Sequence, residues 1–361
     1  MCNGVIFIGP LPEPIHGMSL LNQYLVSELK GENFSLDVIR SNFESVLKDK
    51  DQQGKLKLKE ILFSLKILLD FIKSIQSKKD VVYITPGQSV LGFLKFSPII
   101  LLSYLFKKKV ILHLHGSKLA ENVAATNYFT KQLIINLLTL SWRVIFLGPS
   151  IQDKHLLLLK DRSKGAYCFN GVPIKNFAAK KKSKKLKILF LSNLMKDKGV
   201  FDFFEAVSIL KGNGHQLEVN MAGAIEASHF NKINNLIASC EIKYHGVVSG
   251  DYKDKLFSEA DVFCLPSYDE GQPLSILEAY MSGCAVITTN VGGISDIFKC
   301  GVNGYFCDVS TPKSIASCIE KMTPTTLLTF QNNNYAQAID KYTLDCFLKR
   351  MKTLLFEESF K

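Results

Sequence analysis

Two carboxylates eight residues apart, Glu270 and Glu278, stand in the stretch that carries most of the chemistry, ADVFCLPSYDEGQPLSILEAYMSGCAVITTNVGGI from Ala260 to Ile294. Carboxylates accept strong hydrogen bonds from hydroxyl-rich groups such as ribose and hexose. The frame around them suits a phosphate. VFCLP reads as a buried strand ended by Pro266, SYDEGQP as a turn-rich loop, and the next residues as a helix starting near Pro273. Gly283 ends that helix, and CAVITTN is a second buried strand before Gly292-Gly293. A strand-loop-helix-strand unit puts the loop and the helix N-terminus at the carboxyl end of a parallel sheet, where ligands and anions bind. Two acids would repel a phosphate alone, so the ligand implied carries hydroxyls as well: a sugar nucleotide.

The elements that must position these residues need a large protein. A chain of 361 residues, 47% of them hydrophobic, is long enough for two domains with a core each. Nine cysteines without a C-x-x-C pair point to mostly buried thiols in a reduced compartment and to no metal site. The N-terminus MCNGVIFIGP reads as a first strand rather than a signal peptide, so a cytoplasmic protein is expected. The longest apolar run, Leu91 to Phe106, holds a lysine and a proline and falls short of the ~20 residues of a bilayer span. It is read as a core helix.

Charge is uneven. Residues 1–175 carry 23 basic and 13 acidic side chains, against 21 and 20 in the rest. Five of the later lysines lie in the run KKKSKK from Lys180 to Lys185. This asymmetry suggests an anionic partner for the first half and the linker, such as a membrane surface to which the protein binds peripherally. Nucleic acid is disfavoured, because no recognition motif is present and the basic residues are 40 lysines to 4 arginines. The segment KLKLKEILFSLKILLDFIKSIQSKK has apolar residues at Leu58, Ile61, Leu62, Leu65, Leu68, Leu69 and Ile72, a helical period expected to pack on the sheet, with membrane contact as the alternative.

The ordered set PS-x-x-EG, EA at the second glutamate, M-x-G and GGI resembles the large family of retaining nucleotide-sugar glycosyltransferases with two Rossmann-like domains, the GT-B architecture (glycosyl transferases group 1). About ten ordered positions match, far more than a lone glycine fingerprint. The resemblance implies an α/β fold with an acceptor-side domain over 1–175, a nucleotide-sugar domain over 176–340, and a terminal helix over 341–361 that packs back on the first domain. Closure of a central cleft would exclude water. It implies that Glu270 contacts the donor sugar and Glu278 the ribose, with Gly271, Gln272, Pro273, Leu274 and Ser275 supplying helix N-terminal contacts and Gly246-Val247 lining the base. Lys198, before Gly199, matches the lysine that grips the diphosphate. Asn193 stands where the family usually has arginine, so charge must come from Lys198, helix amides and a lysine such as Lys196. In the first domain the family's Gly-Gly pair is replaced by His16-Gly17. Gly17 can keep the close approach to the donor, and His16 is a candidate acceptor contact. His115, before Gly116 in HLHG, matches the strand-end histidine, with His113 on the same face.

The resulting expectation is a metal-independent retaining hexosyltransferase without cofactor. Its donor is a nucleotide diphosphate sugar, with UDP favoured, and its acceptor a lipid-linked saccharide of bacterial surface-polysaccharide assembly. Two alternatives remain: a nucleotide-sugar epimerase of the same architecture, and a sugar-nucleotide-binding partner that has lost catalysis.

Overall fold

A computed structural model describes residues 4–32, 34–42, 58–175 and 185–357. The chain forms two compact units, one of residues 1–170 with 345–361 and one of residues 171–344. The first boundary thus falls at Asn170-Gly171.

In unit 1 the order is β1 (Gly4–Gly9), α1 (Gly17–Gly31), β2 (Ser35–Arg40), α2 (Leu58–Ile75), β3 (Val81–Ile84), α3 (Val90–Leu94), α4 (Ser97–Leu105), β4 (Lys109–His113), α5 (Leu119–Ala124), α6 (Tyr128–Leu140), β5 (Arg143–Phe146), α7 (Pro149–His155) and β6 (Gly165–Tyr167). The six strands pair in parallel in the order β2-β1-β3-β4-β5-β6. Such strands are covered on both faces, which is why GVIFIG and VVYI read as unbroken apolar runs. Alternate residues divide between the faces. Ile6, Ile8, Val82, Ile84, Val110 and Leu112 share one core with Ile67 and Phe71 of α2, while Phe7 stacks on Tyr83 at 5.4 Å.

Two sequence expectations fail in this layer. The stripe of α2 expected to face the sheet is turned to solvent at Ile61, Leu62, Leu65, Leu69 and Ile72, and Ile67, Phe71 and Ile75 are buried instead. The helix is apolar on more than one side, so its period could not say which side was down. The run Leu91 to Phe106 is two helices, α3 and α4, and it exposes Leu91, Leu101, Tyr104, Leu105 and Phe106.

Unit 2 runs β7 (Leu186–Leu191), α8 (Val200–Gly212), β8 (Leu217–Ala222), α9 (Phe230–Ser239), β9 (Lys243–Tyr244), α10 (Gly250–Glu259), β10 (Val262–Leu265), α11 (Leu274–Met281), β11 (Ala285–Thr289), β12 (Gly304–Cys307), α12 (Pro312–Glu320) and α13 (Pro324–Lys341). Its sheet is also parallel, in the order β12-β11-β10-β7-β8-β9. The polar QNNN tract lies inside α13. Asn334 is fully buried there and donates to the carbonyls of Cys284 (2.7 Å) and Asn303 (2.9 Å), so an amide side chain satisfies loop backbone in the core.

The last helix, α14 (Leu344–Phe356), belongs to unit 1 from Asp345 onward. Buried Arg143 donates to the carbonyls of Leu354 and Glu357 at its C-terminal end, Lys352 bridges Glu28 and Glu32, and Phe356 stacks on Phe34. Lys180 to Lys184 of the lysine run lie outside the described residues. Every described cysteine is free, and Cys300 is exposed.

Candidate functional site

In unit 2 the strand order reverses between β7 and β10, so the loops that leave these two strands flank the crevice where open α/β sheets take ligands. Lys198 stands on the first loop and Glu270 on the second. The Lys198 ammonium donates to Glu270 Oε1 at 2.7 Å, and Ser267 Oγ donates to the same oxygen at 2.8 Å. Glu270 is buried, and Lys198 keeps part of its side chain in solvent. The loops are pinned to each other by backbone: Tyr268 N–H donates to the Asp197 carbonyl at 2.8 Å, and the Tyr268 hydroxyl to Asp202 at 2.6 Å.

Glycine is required at two places in this frame. Gly199 has φ +71°, and a Cβ there would collide with the Pro266 carbonyl oxygen. Gly292 has φ +54°, and a Cβ there would collide with the carbonyl oxygen of Glu270 itself. The Gly293 amide donates to the carbonyls of Glu270 and Gly271. Thus Lys198-Gly199 and the GGI motif clamp the glutamate loop from two sides.

Glu278 sits on α11, buried beside Leu277 and Ala279. Its Oε1 accepts from Lys253 on α10 at 2.6 Å, with both side chains mostly out of solvent. Lys253 was missed in the sequence, because the run YKDK carries no motif and only the tertiary contact singles it out. Pro273 precedes α11 and gives it no side-chain cap, so the first turn beyond Gly271 and buried Gln272, at Leu274 and Ser275, is not closed by a neighbouring hydroxyl or carboxylate at the cap position. Two acids, each held by one lysine, therefore flank a helix N-terminus. Asn193 is half-buried on the β7 loop, and Lys196 is exposed.

At the same sheet edge, Gly223 N–H donates to the Gly246 carbonyl at 2.7 Å, and Tyr244 donates to the Gly223 carbonyl at 2.7 Å. Gly246 takes φ +67°, and Val247 beside it is 77% exposed. An exposed valine on a fixed turn is an apolar surface that a flat ring can cover. Among the described residues no cluster of three or more His, Cys, Asp or Glu side chains is arranged to hold a metal ion.

In unit 1 the loops after β1, β3 and β4 gather at the carboxyl edge. His16 is the N-cap of α1: its Nδ1 accepts from Ser19 N–H at 3.2 Å, and Ser19 Oγ accepts from His16 N–H at 3.0 Å. Capping explains the imidazole at this position and leaves Nε2 as the atom that could meet a ligand; Gly17 opens the helix. His113 and His115 lie on one face, ring centroids 3.9 Å apart, as strand alternation predicts. The Tyr83 hydroxyl sits 2.6 Å from His113 Nδ1, and burial keeps that tyrosine protonated. Burial pushes both imidazoles down, His113 far below the usual value and His115 to about 3, with each further opposed by a neighbouring histidine. Both are neutral at physiological pH. Nε2 of His113, Nε2 of His115 and Nε2 of Gln88 are buried without a hydrogen-bond partner, an arrangement that costs free energy until a ligand or water meets it.

Two six-stranded parallel α/β units, each carrying polar loops at its carboxyl edge, define the GT-B fold expected above. HepE of Anabaena in complex with UDP and glucose is similar in structure, with a TM-score of 0.72 at 14% identity over 98% of this chain and 99% of that one. Residues 173–337, most of the second unit, match the family model "Glycosyl transferases group 1". Among curated relatives, an N,N'-diacetylbacillosaminyl-diphospho-undecaprenol alpha-1,3-N-acetylgalactosaminyltransferase of Campylobacter jejuni is 29% identical over 140 residues, 38% of this chain and 35% of its own. The capsular polysaccharide biosynthesis glycosyltransferase CapH of Staphylococcus aureus is 24% identical over 191 residues, 50% of this chain and 52% of its own. The chain thus spans about a third to a half of the length of these two relatives.

Proposed function

We propose that the protein is a retaining glycosyltransferase that moves a hexose or N-acetylhexosamine from a UDP-sugar to a lipid-linked saccharide in bacterial surface-polysaccharide assembly. The observation that carries this reading is the pair of buried carboxylates at the β10 loop and α11, each set against a lysine at 2.6–2.7 Å. A sugar nucleotide needs that mixture. Lys198 and the first-turn amides of α11 meet the diphosphate, so transfer needs no metal; Glu278 takes ribose hydroxyls; and Glu270 faces the sugar as positive charge develops at the anomeric carbon. His115, being neutral, acts here as a hydrogen-bonding contact to sugar rather than as a proton source. The undecaprenyl-linked substrate in the name of the Campylobacter relative and the capsular role of CapH support the acceptor class.

The test is differential scanning calorimetry with a panel of nucleoside diphosphates, then incubation of the matching sugar nucleotides with and without undecaprenyl-diphosphate saccharides. A bound diphosphate at about 100 times its Kd adds ~2.7 kcal/mol of stability. Glycosylated lipid with inverted anomeric configuration would refute retention. Isomerised sugar nucleotide without acceptor would make the protein an epimerase, and binding without turnover would make it a partner protein.

A further inference from the structure

Thirteen of the twenty-three large hydrophobic side chains exposed among the described residues lie on the α2-to-α6 stretch of unit 1. They include Leu62, Leu65 and Leu69 of α2, Leu105 and Phe106 at the end of α4, and Phe129 of α6, which is 84% exposed. α4 touches both α2 and α6, so the three outward faces adjoin on one side of the sheet. Isolated exposed leucines need no explanation, but a run of them across three neighbouring helices does.

The charges beside this surface identify its occupant. Lys59, Lys66 and Lys73 recur every seven residues along α2, all exposed, bordering the apolar stripe on one flank. Lys131 is exposed on α6. The acids of α2, Glu60 and Asp70, are half-buried, and α4 and α6 contain none. A second copy docking by twofold symmetry would bring the same lysine row to both sides of the contact, with only Asp70, already paired with Lys73 at 3.5 Å, beside it. A bilayer with anionic headgroups offers hydrocarbon to the leucines and phosphates to the lysines. We propose that the outward faces of α2, α4 and α6 form a docking surface for an anionic phospholipid bilayer, the apolar side chains entering the headgroup boundary and the lysines pairing with lipid phosphates. No described helix is long and apolar enough to cross a membrane, so docking would be in the interface plane. The inference stands apart from the chemistry proposed for unit 2.

The test is co-sedimentation of the full chain with vesicles of equimolar phosphatidylglycerol and phosphatidylcholine, and with phosphatidylcholine alone. The expected result is binding to the anionic vesicles that weakens with added salt. Leu65→Gln/Leu69→Gln should lower the partition coefficient at least about tenfold, and Lys66→Gln/Lys73→Gln about tenfold on anionic vesicles only. Glutamine keeps helix propensity, and unchanged far-UV circular dichroism and Trp142 emission confirm folding. Absence of binding, or binding that the leucine pair does not alter, overturns the proposal. So does a dimer in sedimentation velocity that the leucine pair dissolves, since a second copy would then be the occupant.

Discussion

Replacing Lys198 with methionine should destabilise unit 2 more than replacing its partner Glu270 with glutamine, although both remove the same ion pair. The asymmetry follows from burial: the side chains are 27% and 8% exposed. Lys198→Met leaves a buried carboxylate with only the Ser267 hydroxyl at 2.8 Å of its two side-chain donors. Breaking a fully buried pair costs ~3–5 kcal/mol, and partial access of the lysine to water reduces the expectation to ~2 kcal/mol. Glu270→Gln keeps an oxygen for Ser267 and frees a lysine that can turn to water, so it should cost ~1 kcal/mol or less. Urea unfolding followed by far-UV circular dichroism measures both. Trp142, the only tryptophan, lies in unit 1, so its fluorescence transition serves as an internal control that should not shift. Equal costs, a reversed order, or a loss confined to the fluorescence transition would refute the reasoning.

In transfer kinetics, Glu278→Gln should raise the donor KM by the equivalent of ~1.5–3 kcal/mol, whereas Glu270→Gln should lower kcat by about 10²-fold and leave UDP affinity, measured by calorimetry, nearly unchanged. Gly199→Ala should cost upwards of ~2 kcal/mol, because it adds a collision with the Pro266 carbonyl to the left-handed strain; Gly214→Ala, at φ +83° in open space, should cost only ~1 kcal/mol. Comparing the two thermal midpoints isolates the collision. The stability of unit 1 should be full above the unfolded histidine pKa of about 6.5 and fall as acid is added towards about 3, since the unfolded chain then takes up protons that folded His113 and His115 refuse. The loss should be roughly 1 kcal/mol per pH unit per histidine, read as urea midpoints from Trp142 emission, and a flat profile would count against it.

The fold and the frame around the Glu270 loop were legible because parallel strands announce themselves as apolar runs and because Gly199 and Gly292 stand at left-handed φ angles against neighbouring backbone. The face shared by His113 and His115 followed from alternation alone. Lys253 was invisible, because a lysine on a charged surface helix is distinguished only by the acid it meets after folding. The outward side of α2 was misjudged for a related reason. Its buried set, Ile67, Phe71 and Ile75, is spaced as regularly as the exposed one, and nothing local tells them apart. The capping role of His16 was missed because histidine is not among the preferred caps; the hydroxyl three residues on, Ser19, was the available signal.

Because unit 1 consists of residues 1–170 and 345–361, the whole of unit 2 is inserted into its sequence. Arg143 is made 211 residues before Leu354 and 214 before Glu357, whose carbonyls it is to meet. Until then a guanidinium destined for burial lacks these two carbonyls, so unit 1 stays incomplete while unit 2 is already able to fold. A chain cut just after Leu344 would therefore damage unit 1, made first, and spare unit 2, just completed.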